Sequence, residues 1–207
     1  MSVVHLIDTL TEWAQANVCA HIKLKQPPAD QEAATGEGYE YTLVNPTAFP
    51  MYIPTSEKLP PNIHSPYPAL CVRFANGQDM PAQSGGFIDV QFCFATWNTG
   101  IHGKDILMPT EKAGEFKQWS GEEAEAYFRR SADGWRDAWN FVDIALRAIE
   151  STTHIGEYTI DRAQPVKFGP LTEQESIPDL YPTWFAWVNF RVNYPLWRNI
   201  KDLDQFL

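Results

Sequence analysis

The chain has 207 residues, enough for one sizeable core and short for two full domains, so it reads as a single domain over 1–207. Its 44% hydrophobic, 14% aromatic and 20% charged residues argue against global disorder. The formal net charge of −10, from 16 basic and 26 acidic residues, provides no basic field with which to displace counterions from nucleic acid. Sequence-specific DNA binding is therefore not expected.

In chain order, Val3, Leu6, Ile7, Leu10, Trp13 or Ala14, and Val18 recur at helical spacing, with Asp8, Thr9, Glu12, Gln15 and Asn17 between them. They predict an amphipathic helix over residues 3–20, with Ser2 able to cap it. Residues 21–25 can extend briefly before Pro27 and Pro28 stop them. Residues 27–68 are rich in proline, glycine and small polar residues, with a short strand expected at 39–44. The seven prolines in residues 45–68 argue against regular structure there. That segment is either a projecting arm or a coil laid over the sheet by Phe49, Tyr52 and Tyr67.

The clearest strands come next. Residues 69–75 alternate Leu70, Val72 and Phe74 with Cys71 and Arg73, and residues 87–97 alternate Ile88, Val90, Phe92 and Phe94 with Asp89, Gln91 and Cys93. Asn76-Gly77 and Gly85-Gly86 suggest an antiparallel pair joined by about ten residues, with the glycines permitting turns. Residues 98–120 form a polar excursion. A helical region follows in two pieces, 121–130, with acidic residues first and basic residues last, and 132–151. In the second piece Trp135, Ala138, Trp139, Val142, Ala145 or Leu146, and Ile149 form an apolar stripe. A short strand at 158–163, a proline-punctuated loop at 165–181 and a long alternating strand at 183–194 complete the pattern.

This order predicts an α+β fold: one mainly antiparallel twisted sheet, two helices packed on one face, and long proline-rich loops. The other face would carry Arg73, Asp89, Gln91, Asn189 and Arg191. Phe185 and Trp187 would also lie there as large apolar residues on a polar face. Those two, with Phe49 and Tyr52, are the candidate subunit-interface residues. Coverage by a long loop is the competing expectation.

Chemical signatures point elsewhere than catalysis. There is no GxSxG elbow and no phosphate-cradling GxxxxGK[ST] or GxGxxG. None of the five histidines pairs with another His or a Cys at i, i+4, and His102 with Asp105 is the closest approach to a metal motif. Glu122-Glu123 and Glu173…Glu175 suit a solvated acidic face better than acid–base work. Cys19, Cys71 and Cys93 form no CxxC pair, which fits a reducing compartment, and Cys71 and Cys93, inside expected strands, are expected as small buried hydrophobes. No catalytic, cofactor-binding or metal-ligating residue is assigned. No basic leader or apolar run long enough to span a membrane is read either. A carbohydrate platform would need exposed, coplanar tryptophans, whereas most of these fall on the apolar sides of strands and helices.

The stretches "LIDTLTEWAQANV", "NPTAFPMYIPTSEKLPPNIHSPYPALCVRF", "GGFIDVQFCFATWN", "GWRDAWNFVDIALRAIE" and "YPTWFAWVNFRVNYP", in that order, resemble the tail terminator and tail-completion proteins of long-tailed bacteriophages and prophages. The resemblance implies a structural virion protein, with no enzymatic activity and no cofactor. It would form a ring with copies of itself, often a hexamer, that caps the tail tube and helps join it to the head. Its partners would be the tail-tube protein and head–neck proteins, with DNA passing through the ring and no membrane involved. It would be found in the virion tail or neck, and in the bacterial host cytoplasm during assembly. Loop inserts at about 27–68 and 98–120 depart from the compact form of that family. A non-enzymatic binding module for a carbohydrate or protein partner is the alternative.

Overall fold

A computed structural model describes residues 3–28, 42–80, 85–99, 107–109, 116–118, 134–173 and 176–195. The predicted N-terminal helix is α1, Val3–Asn17, followed by a 3-10 turn at Cys19–His21. Strand β1 (Leu24–Gln26) pairs antiparallel with β2 (Thr42–Val44) in a small separate sheet. The Ser2 cap, residues 39–41 of the expected strand and the whole expected helix at 121–130 lie outside the described residues.

The main sheet has seven strands. Its centre is β5 (Gly85–Trp97), flanked by β4 (Ala69–Met80) and β11 (Thr183–Pro195) in antiparallel register. Strand β3 (Thr47–Pro50) adds parallel to β4 at Ala69–Val72. On the outer edge of β11, β10 (Lys167–Pro170) pairs at Ala186–Asn189 and β9 (Tyr158–Ile160) pairs at Val192 and Asn193. Strand β8 (His154–Ile155) closes a tight hairpin with β9 through Gly156, which holds a positive φ of 58°. The short pair β6 (Leu107–Pro109) and β7 (Phe116–Gln118) lies in the excursion after β5.

Strand alternation sorts the side chains. Leu70, Val72, Ile88, Val90, Phe92, Phe94, Ala186, Val188, Phe190 and Val192 form one buried face. Leu6, Leu10 and Ala14 of α1 share that cluster with Ala138, Phe141, Val142, Ala145 and Ile149 of α2, Arg136–Ser151. Phe92 meets Phe190 edge-on at 5.0 Å between ring centroids, and Phe94 meets Phe141 at 4.8 Å. Phe141, absent from the expected stripe, is fully buried, whereas Trp135 is 41% exposed just before the helix.

Four expectations are corrected. Residues 45–68 hold a strand, β3, which proline does not prevent: Thr47 and Met51 donate backbone N–H to Pro68 and Val72, and Pro50 needs no inward donor. The β4–β5 connection is shorter than ten residues, since the strands run on to Met80 and from Gly85 across a bulge between Phe74 and Asn76. Gly86 is a strand residue rather than a turn-maker, because the Tyr194 ring crosses it to reach the Asp79 carboxylate and a Cβ there would lie 2.5 Å from that ring. The expected loop at 165–181 contains β10, whose polar, glycine- and proline-bearing sequence conceals its pairing.

Side chains from later segments hold the 3-10 turn after α1 and the C-terminal end of α2. The Asn45 amide donates to the carbonyls of Cys19, Ala20 and Ile22. The Arg162 guanidinium donates to Ile149 at 2.7 Å, Glu150 at 3.0 Å and Thr152, placing a cation at the negative end of α2. Arg162→Ala should cost about 1–3 kcal/mol, because one charged donor serves three carbonyls at the end of α2. Urea unfolding at pH 7 measures the loss, and Arg162→Lys should recover part of it.

Candidate interaction site

The sheet face opposite the buried core carries the odd-numbered residues of β5 and β11, in rows fixed by register. At one end, Ala69, Ala95 and Phe185 form a row, and Tyr67 packs edge-on against Phe185 with centroids 6.4 Å apart. The next row places Cys71 beside Cys93 and Trp187, with Gly169 of β10 opposite Trp187. The Trp187 ring lies where a Cβ on Gly169 would be, 2.9 Å away, and its Nε1 donates to the Pro170 carbonyl at 2.8 Å.

Among the candidate interface residues, Phe185 and Trp187 are thus half-buried and engaged within the chain. Phe49 is 6% exposed, because its position opposite Cys71 turns it onto the same face. Tyr52, at 64%, is the one of the four that stands in solvent. Beside it, Met51 adopts a positive φ of 65°. The four do not form one patch.

Further along, the face becomes polar. Arg191 and Asp89 form a two-pronged ion pair, with Nε to Oδ1 at 2.7 Å and Nη2 to Oδ2 at 3.1 Å. The guanidinium also stacks 3.7 Å from the centroid of the Phe87 ring. Hydrogen bonding to Asp89 raises the Arg191 pKa further above its already high ordinary value. Around this pair lies an open groove of about 210 Å³, lined by the polar side chains of Asn76, Asp89, Gln164, Lys167, Asn189 and Arg191 together with Ala75 and Pro165. No hydrogen bond or ion pair among the described residues engages the side chains of Asn76, Gln164 or Lys167. The Asn189 Oδ1 is buried without a partner. Alternation in the sequence placed Asp89, Asn189 and Arg191 on one face. It gave no signal for Lys167, which β10 brings to them, or for Gln164 in the turn before β10.

A second polar centre sits where β5 ends. Asn98 takes a hydrogen bond from the Lys25 ammonium at 3.0 Å and donates to Asp137 Oδ2 at 2.7 Å. Its backbone carbonyl accepts from Trp184 Nε1 at 2.8 Å, and its N–H donates to the Pro182 carbonyl. Gly134 comes so close that a Cβ would lie 2.3 Å from the Asn98 carbonyl oxygen. The excursion that leaves after Thr99 therefore returns at Gly134 to its own starting point.

A third feature is apolar. Phe168, Leu171, Ile177, Leu180 and Tyr181, all in or after β10, are each more than two-fifths exposed, and Ile177 reaches 70%. Glu173 and Ser176 exchange backbone hydrogen bonds, and Asp179 Oδ1 accepts from the Tyr181 N–H.

Among the described residues no three His, Cys, Asp or Glu side chains cluster as metal ligands. His102, Asp105, Glu122, Glu123 and Glu175 lie outside those residues. The cysteines are free thiols, and burial pushes Cys19 and Cys71 up to about 12. No described helix is long and apolar enough to cross a membrane.

No protein-family model matches the chain, and no curated protein matches it. The structure defines a class of fold: a mixed α/β chain with two described α-helices and a mostly antiparallel, strongly curled sheet.

The Asn98 centre makes a pH-dependent prediction. Burial raises the Asp137 pKa, against the lowering effects of the Asn98 hydrogen bond and of Lys25. Folding then favours the protonated acid, so this group's contribution to stability falls as pH rises from the ordinary carboxylate range through its folded pKa. Asp137→Asn should match or exceed the native protein in stability at pH 7, with the difference shrinking toward pH 4. Asp137→Ala should instead lose about 1–3 kcal/mol, since it leaves the Asn98 amide without its acceptor. Urea titrations at the two pH values separate the three proteins.

Proposed function

We propose that this chain is a non-catalytic structural subunit that assembles with copies of itself into a ring of the tail-terminator or tail-completion type. The ring would cap a phage tail tube and help join it to the head. The observation that carries the reading is the ordered resemblance of five segments to that family, from "LIDTLTEWAQANV" to "YPTWFAWVNFRVNYP".

Physical features support it. A ring subunit needs a rigid body with distinct contact surfaces rather than a reactive centre. Long strands bonded along their whole length provide such a body. In this reading the two helices back one face of the sheet, while the proline-rich and 98–120 segments act as arms toward tube and head. The exposed side chains of Phe168, Leu171, Ile177 and Leu180 offer apolar area to a neighbour. A lumen displaying part of the −10 charge would let DNA pass without adhering.

Negative-stain microscopy of the purified protein, alone and mixed with tail tubes lacking a cap, tests the reading. Rings in solution, or a single ring-shaped density at one tube end, are expected. A protein that forms no ring and leaves both tube ends bare contradicts it.

A further inference from the structure

Two copies of a chain with a net charge of −10 repel one another at long range. Their association needs places where acidic groups on one copy meet unpaired cations on the next. The polar groove offers such a place. Lys167 stands exposed at its edge without an ion pair among the described residues, and exposed Arg73 lies on the same sheet face, in the row of Gln91 and Asn189.

The groove floor is rigid as well as polar. Arg191 is held by both oxygens of Asp89 and by the Phe87 ring, so little side-chain freedom remains to be lost there on binding. Asn76, Gln164 and Asn189 add amides, each with donors and an acceptor. Such a mixed set fits peptide backbone, which supplies both N–H and C=O groups. An outward turn of the Asn189 amide would give its unpartnered Oδ1 a donor.

The same chain presents a matching projection. The β10–β11 connection carries the acidic residues Glu173 and Asp179 around Ile177, the most exposed of the large hydrophobic side chains described. Its acids answer Lys167 and Arg73, and Ile177 can cover Ala75 and Pro165 in the groove.

We propose that the far-face groove around Lys167 and Asn189 receives the acidic β10–β11 connection of a second copy of this chain. The contact is heterologous, joining two different surfaces, and repeated head to tail it generates a ring or an open filament. It deepens the assembly reading above and rests on it.

Sedimentation velocity over a concentration series, at low and high salt, tests the contact. Lys167→Glu and the pair Glu173→Lys with Asp179→Lys should each weaken self-association by about threefold to tenfold, the range for a partly exposed charge cluster. Combining the reversals in one chain should recover much of the loss, and added salt, which screens the net repulsion as well as the contact, should favour association of the native protein less than that of either reversal. Circular dichroism checks that each variant folds. Native-like association of Lys167→Glu, no recovery in the combined variant, or a native protein that stays monomeric would each overturn the contact. In the first two cases the assembly reading survives through another surface. It falls as well only if the monomer also leaves bare tail tubes uncapped.

Discussion

The structure depends on the thirteen-residue antiparallel register between β5 and β11. It bonds residues far apart in sequence: Thr96 to the Trp184 carbonyl across 88 positions, and Asp89 to Arg191 across 102. The 85 residues between the two strands, 98–182, must be ordered or looped out before this pairing forms, which costs closure entropy and favours slow folding. Once formed, it places Phe92 against Phe190 in the core and Asp89 against Arg191 on the opposite face. The outer edge of β11 then receives β10 and β9, and α2 packs across β5 and β11. One register therefore sets both the core and the groove.

This dependence explains what the sequence disclosed. Strict alternation at residues 87–97 and 183–194 identified the two long strands, and helical spacing identified α1 and α2, because each element buries one face. Strands β3 and β10 were hidden because each has four residues, contains proline and is held by a long neighbour rather than by its own pattern. Phe185 and Trp187 were legible as aromatics on the polar face. Their covers, Tyr67 and β10, come from segments read as irregular. The groove was half legible for the same reason: β11 announced Asn189 and Arg191, but Lys167 arrives on a strand the pattern did not show.

Glycine is used at close approaches between elements. Gly86 admits the Tyr194 ring, Gly169 admits Trp187, and Gly134 admits the Asn98 carbonyl. The first two let large aromatics lie flat along the sheet. The third brings both ends of a long excursion to one buried asparagine. Segments outside the sheet are thereby tied to it at defined points.

In the contact proposed above, copies of this chain meet through the groove around Lys167 and Asn189 and through the β10–β11 connection. Hydrogen exchange on dilute and concentrated protein tests it most directly. The account predicts added protection at concentration around residues 73–80, 164–168 and 171–181, with α1 and α2 unchanged. Added protection confined to α1 and α2, with those three segments unaffected, would contradict it.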